Sequence, residues 1–296
     1  MSFIAPQKLR IDPVHSCHKF HTTVDVLRLD LVHPLVSGNK WFKLKYYLED
    51  AAQQQKKIIA SYGGAWSNHI HALAAACNSF GFQSIGIIRG ERSETLSPTL
   101  QDAEAMGMKL YFLSREEYRI KKIPSDLANE FDPDEIYFIP EGGYGNLGAR
   151  GASEILTRVE TKSYTHILCA VGTGTTLAGL IRTNNGTQEL IGISVLKNNH
   201  SIEEEISSLL PIELRHRYKI FHDYHFGGYA KCNNELLRFM KEWERETAIP
   251  LDFVYTAKLF YAVSDLLQKN YFPENSKILL IHTGGLQGNR GLHGSN

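Results

Sequence analysis

Few cysteines, no net charge and no long apolar run: each shortage removes a class of function from this chain of 296 residues. The four cysteines, Cys17, Cys77, Cys169 and Cys232, are far apart and form no C-x-x-C. That spacing argues against a zinc knuckle or a redox dithiol, and free thiols fit a reducing cytoplasm. No apolar run approaches the length of a membrane span. Residues 1–6 lack the apolar core of a signal peptide, so a soluble, cytoplasmic protein without a membrane partner is expected. Thirty-two basic residues balance thirty-two acidic ones. No lysine-arginine stripe is interleaved with aromatics, which argues against a nucleic-acid partner. No internal repeat or low-complexity tract stands out.

What is present reads as an α/β protein. The hydrophobic share of 43% is ordinary for a chain that buries a full core, and the length suits one large or two medium domains. Strand-like apolar runs fall at 57–62, 84–89, 109–113, 136–139, 166–171, 190–195 and 277–282. Helical patterns fall between them, at 43–54, 68–80, 98–106, 149–161, 176–184, 202–210, 233–247 and 258–269. Such alternation predicts parallel sheet covered by helices. Ser201 with Glu204 has the form of a capping box. The charged stretch 115–135 reads as solvated helix and loop. Glycine pairs stand near strand ends or in loops, where open α/β sheets bind ligands.

Three loops carry candidate chemistry. In the first, Ser37-Gly38-Asn39-Lys40 runs into an amphipathic pattern. At 100° per residue Lys40 falls within the arc of Trp41, Leu44, Tyr47 and Leu48, whereas Lys43 and Lys45 fall outside its edges. A lysine turned to an apolar side loses hydration, and its amine becomes a nucleophile suited to a Schiff base. The alternative is a side chain just before the helix that snorkels to water. Lys43 and Lys45 are expected to be ordinary flanking charges.

The second loop, Gly63-Gly64-Ala65-Trp66-Ser67-Asn68-His69, opens a helix. Ser67 and Asn68 at its N-terminus can receive a carboxylate, or Ser67 can be a cap alone. Trp66 walls a pocket or merely packs. His69 and His71 stand two apart and point away from one another on a helix. With no acidic or cysteine cluster to complete a shell, no metal site is expected.

The third loop, Gly172-Thr173-Gly174-Thr175-Thr176, lies between a strand and a helix and makes a phosphate cradle of amides and hydroxyls. Leu177 stands where a dinucleotide fingerprint needs glycine. Late in the chain, Tyr255 precedes a helix, as a general acid, a ring stacked on a cofactor or simple packing. His282-Thr283-Gly284-Gly285 ends the last strand.

An activated lysine, a phosphate cradle and a carboxylate-type helix terminus jointly suit pyridoxal phosphate. With these motifs the chain resembles the D-cysteine desulfhydrase/1-aminocyclopropane-1-carboxylate (ACC) deaminase family of fold-type-II pyridoxal-phosphate enzymes. The carrying segments are Ser37-Gly38-Asn39-Lys40-x-x-Lys43-Leu44, Gly63-Gly64-x-x-Ser67-Asn68, Gly142-Gly143-Tyr144-Gly145-Asn146-x-Gly148-Ala149, 172–179, Gly228-Tyr229, Val254-Tyr255-Thr256-x-Lys258 and His282-Thr283-Gly284-Gly285. They extend over nearly the whole chain, and their order is specific where each alone is weak.

The resemblance implies two open twisted α/β domains, tryptophan synthase β-like, with the cofactor in the cleft. Residues 47–150 would form the small domain, and 1–46 with 151–296 the large one. It implies that Lys40 carries the cofactor and moves the substrate α-proton, with Ser67 and Tyr255 as catalytic partners. Asn68 would bond the cofactor 3′-oxygen, and 172–176 the phosphate. Thr256 or Thr283 would face the ring nitrogen. Ser67, Asn68, His69, Trp66 and Tyr229 would meet the substrate. Family members are commonly homodimers.

Within the family, ACC deaminases carry a glutamate after the tyrosine, whereas this chain has Thr256, and Thr283 where they have leucine. A neutral hydroxyl makes the ring a weaker electron sink. β-Elimination tolerates that because a thiolate leaves. The reading is therefore α,β-elimination from a small D-amino acid, D-cysteine giving pyruvate, H2S and ammonia. The alternatives are ACC deamination, racemisation or dehydration of another amino acid, a pyridoxal-phosphate carrier without turnover, and a nucleotide-binding module without the cofactor. Trp66, in place of the usual glutamine, and Ala257, in place of glycine, leave the substrate open.

Overall fold

The computed structural model describes residues 9–14, 22–184 and 186–293; Cys17 and residues 1–6 lie outside them. Ten strands form two sheets among the described residues. They are β1 (Ile11–Pro13), β2 (Thr23–Arg28), β3 (Ile58–Gly63), β4 (Gln83–Arg89), β5 (Met108–Leu113), β6 (Ile136–Ile139), β7 (His166–Val171), β8 (Glu189–Ser194), β9 (Tyr218–Phe221) and β10 (Lys277–His282). The larger sheet runs β1-β2-β10-β7-β8-β9 and the smaller β5-β4-β3-β6. Every pairing is parallel except β1 with β2. The smaller sheet is drawn wholly from residues 58–139, and the larger from segments on either side.

The helices are α1 (Asn39–Gln53), α2 (Asn68–Phe80), α3 (Pro98–Ala105), α4 (Arg115–Arg119), α5 (Ser125–Glu130), α6 (Asn146–Thr157), α7 (Thr175–Thr183), α8 (Ile202–Ser208), α9 (Asn234–Thr247) and α10 (Thr256–Gln268). Strands β3 and β7 are buried along their whole length, as parallel strands covered on both faces must be. One apolar cluster joins Leu44 of α1, Ile70 of α2 and Ile167 of β7, so α1 is packed from both sheets. No described helix is long and apolar enough to cross a membrane.

The structure departs from the sequence reading in three places. Strands β1, β2 and β9 are additional. The charged Asp25 and Arg28 interrupt the pattern of β2, and they take partners from elsewhere in the chain, the Tyr164 hydroxyl for Asp25 at 2.7 Å and Asp12 for Arg28 at 2.8 Å. Asp30, two residues on, also pairs with Arg28 at 2.6 Å. Ser201 makes no cap; its hydroxyl donates to Glu205 at 2.9 Å. The capping box forms instead at Ser114 and Glu117, within the charged stretch.

The strand ends position the site. Gly64, Arg89 and Glu141 follow or end β3, β4 and β6; Gly172, Leu196 and Thr283 follow β7, β8 and β10. All six line one cavity of about 490 Å³, at the carboxyl ends of both sheets.

Candidate active site

Helix α1 begins where the strands end. Gly38, at φ +68°, precedes it, and a Cβ there would lie 1.9 Å from the Thr283 carbonyl oxygen, so only glycine fits. The Asn39 N–H donates to that carbonyl at 3.2 Å, and its side chain donates to the Thr176 hydroxyl at 2.9 Å. The first turn of α1 is thus pinned between β10 and α7, and Lys40 lies in it. Lys40 Nζ donates to Asn39 Oδ1 at 3.0 Å and lines the cavity. Burial lowers its pKa to about 8, partly opposed by Asp252.

Lys43 is not the flanking charge expected of it. It lines the same cavity, is 3% exposed and donates to the Gly142 carbonyl at 3.3 Å. Burial, and then the charge of Lys40, drive its pKa well below the ordinary lysine value. A helical wheel assumes one wet face, whereas α1 is covered by both sheets. Lys45 does face out, paired with Glu154 at 2.7 Å.

Helix α7 starts at Gly174 (φ +72°) with no side-chain cap. Its first amides are therefore free for an anion. Thr173 and Thr175 share a hydroxyl hydrogen bond at 3.0 Å. Gly142, at φ +67°, abuts this loop, since a Cβ there would be 2.9 Å from Thr173 Cγ2. Lys43, bonded to the Gly142 carbonyl, consequently stands one residue behind the cradle. Gly172, Thr173, Gly174 and Thr176 line the cavity, while Thr175 is buried beneath it.

Helix α2 is closed by Ser67, whose hydroxyl accepts the Ile70 N–H at 3.3 Å. Ser67, Asn68 and His69 all line the cavity. Gln287 donates to Asn68 Oδ1 at 2.9 Å, leaving the Asn68 amide nitrogen as the free donor. Gln287 arrives there on the 3-10 segment Leu286–His293, tied to α3 by Arg290 and Asp102 at 2.5 Å. The Ser61 hydroxyl donates to the Ile139 carbonyl at 2.7 Å, so it must accept from His69 Nε2 at 2.9 Å. His69 is therefore the neutral tautomer with its lone pair on Nδ1, buried without a partner. Burial and then Lys40 and Lys43 hold its pKa well below the usual value.

Tyr255 packs on the cradle, where a Cβ on Gly172 would lie 3.1 Å from its ring. Burial, and then Tyr229 and Asp252, push its pKa well above that of an ordinary phenol, so it keeps its proton. Tyr229 meets it edge-on, ring centroids 6.2 Å apart. The Tyr229 loop is fixed by buried Lys258, which donates to the Gly228 carbonyl at 2.7 Å. Asp252 accepts the backbone N–H groups of Val254, Tyr255 and Thr256 and the Thr256 hydroxyl, each within 3.0 Å.

Besides Thr175, two expected residues stand apart from the cavity. The Thr256 hydroxyl is committed to Asp252, so Thr283 is the threonine that lines it. Trp66 turns to the C-terminal segment, where a Cβ on Gly291 would lie 3.2 Å from its ring. The structure brings in residues the sequence reading left out: Lys43, Arg89, Glu141, Gln287 and, behind the wall, Asp252. Only Gln287 had a local signal, two residues beyond the last glycine pair. No described group of histidine, cysteine or acidic residues could hold a metal ion.

Comparison with known proteins matches residues 9–284 to the family described as pyridoxal-phosphate dependent enzyme. A Pyrococcus horikoshii protein provisionally named 1-aminocyclopropane-1-carboxylate deaminase is 30% identical over 281 residues, covering 90% of this chain and 85% of its own. A mitochondrial Arabidopsis thaliana protein, named bifunctional D-cysteine desulfhydrase/1-aminocyclopropane-1-carboxylate deaminase, is 28% identical over 294 residues, covering 90% and 73%. The crystal structure of an ACC deaminase homologue superposes with a TM-score of 0.85 at 28% identity, covering 97% of this chain and 92% of that one.

Proposed function

Because the chain belongs to the pyridoxal-phosphate dependent enzyme family, as an ACC-deaminase-like member of fold type II, we propose that it eliminates the β-substituent of a small D-amino acid, with D-cysteine giving pyruvate, H2S and ammonia. The observation that carries the reading is the Lys40 amine, lowered to about 8, standing in one cavity with two helix N-termini. The residues suit the cofactor. The uncapped start of α7 offers amides to its phosphate, and an anion held there would favour the protonated form of Lys43 behind it. The free amide nitrogen of Asn68 is a donor for its 3′-oxygen. Thr283, which lines the cavity where Thr256 does not, offers the ring nitrogen a neutral hydroxyl.

When bound, the cofactor supplies an electron sink for the substrate α-carbon. Lys40 holds the cofactor and, once freed, takes the α-proton on Nζ. Ser67 and the first amides of α2 receive the substrate carboxylate. Tyr255 retains a proton that its Oη can give to the leaving sulfur. A neutral partner for the ring nitrogen favours a reaction in which a thiolate departs over opening of a ring without such a leaving group.

ACC deamination is the second reading, supported by the names of the relatives. Release of keto acid and sulfide from D-cysteine, L-cysteine, D-serine and ACC, assayed in parallel, separates the two. Sulfide and pyruvate from D-cysteine are expected; keto acid from ACC alone would reverse the assignment.

A further inference from the structure

One cation in the cleft has no task in that reaction. Arg89 ends β4 and lines the cavity. It stands beside the loop that leads to Ser67, since a Cβ on Gly64 would lie 3.8 Å from its Nη2. Among the described residues it forms no ion pair; its guanidinium carbon lies 5.8 Å from the Tyr118 ring centre. The acid across the same rim, Glu141, is already paired with Lys121. Glu205, also in the lining, takes the Ser201 hydroxyl at 2.9 Å. The other charges are assigned: Lys43 to the phosphate, Lys40 to the cofactor, and the start of α2 to the substrate carboxylate. A single carboxylate on the substrate leaves Arg89 unanswered.

We propose that the cleft prefers an amino acid whose side chain carries a second anionic group, a carboxylate or a sulfur or phosphorus oxyanion, held by Arg89. The inference rests on the reading of the cleft as an amino-acid site and names the class of side chain it takes. A guanidinium fork matches two oxygens of such a group. It also suits the chemistry. Where that group, X, is a sulfonate or a phosphate, the Cα–H proton passes to Lys40 and the Cβ–S or Cβ–O bond breaks, with its electron pair leaving as sulfite or phosphate. Water then releases the nitrogen as ammonia and leaves the keto acid. Negative charge grows on X beside the cation, where it is stabilised more than in the ground state. A carboxylate cannot leave in this way and is only bound.

The probes are D-aspartate and D-alanine, titrated calorimetrically at low salt into the cofactor-loaded protein and its Arg89→Gln variant. Arg89 is exposed, and thermal melting checks that the variant folds. Wild type is expected to bind aspartate about tenfold more tightly than alanine, the scale of one partly exposed charged hydrogen bond, and Arg89→Gln to bring the ratio near one. A wild-type ratio near one, or a ratio unchanged in the variant, overturns the proposal. The measurement needs no turnover. If D-cysteine yields no keto acid but the aspartate preference exists and vanishes with Arg89, elimination fails as the function while the anion subsite stands.

Discussion

The two helices that open onto the cleft are finished in opposite ways. Helix α2 is closed by the Ser67 side chain and followed into the cavity by Asn68 and His69. Helix α7 starts at a left-handed glycine with no side-chain cap, its amides open. The anion site on the large-sheet side is thus made of backbone amides, whereas the one on the small-sheet side is flanked by side chains, with Arg89 and Glu141 on the same side of the cavity. Backbone donors suit a group that never changes, such as a cofactor phosphate. Side chains can be exchanged one at a time, which suits the part of the site that selects a substrate. Helix α1 belongs to both walls, and it carries the two lysines that line the cleft.

The largest effect is expected at α1. Lys40→Ala should abolish the adduct that borohydride traps between protein and cofactor. It should lower keto-acid release by about 10⁴-fold, the upper range for losing a positioned proton-transfer group. Lys43→Ala should still be trapped, at Lys40, though with weaker cofactor binding. Only the neutral amine attacks an aldehyde, so cofactor uptake by wild-type apoprotein should rise up to pH about 8 and level off above it. Trapping that survives Lys40→Ala and vanishes in Lys43→Ala would exchange their roles.

A smaller effect tests the backbone anion site. Gly174→Ala keeps every side chain of the cradle but forces a Cβ to 2.3 Å from Ile206 Cγ1 at φ +72°. Strain of about 1–3 kcal/mol should weaken cofactor binding by about 10–100-fold, read by equilibrium dialysis. At saturating cofactor the substrate KM should move far less. Equal losses in both would erase the division between the walls. Smallest is Ser67→Ala on the other wall. It should cost about 1 kcal/mol of stability from the lost cap, seen as a lower Tm, and raise KM for D-cysteine more than it weakens cofactor binding. A cofactor affinity that falls as far as KM rises would place Ser67 on the wrong side of the comparison.

Much of the fold was legible because its strands are apolar runs buried on both faces and its turns carry glycine. Strand β2 was not, because Asp25 and Arg28 interrupt its apolar pattern and take partners remote in sequence. At the site, the phosphate-type loop and the start of α2 could be read locally, since an anion-binding helix terminus is a short-range feature. Lys43 and Arg89 could not. A buried lysine looks like a surface lysine until a second sheet covers it, and an arginine at a strand end shows no lack of a partner until all the acids are placed.

The sequence by itself determined the alternation of strands and helices, the glycine turn that starts α7 and the serine that caps α2, because each depends on residues close together in the chain. Tertiary structure alone decided which threonine lines the cavity, that Trp66 faces the C-terminal segment and that two lysines rather than one lie in the cleft. Those outcomes depend on desolvation and on hydrogen-bond partners brought from distant segments, and neither exists until the two sheets close around α1.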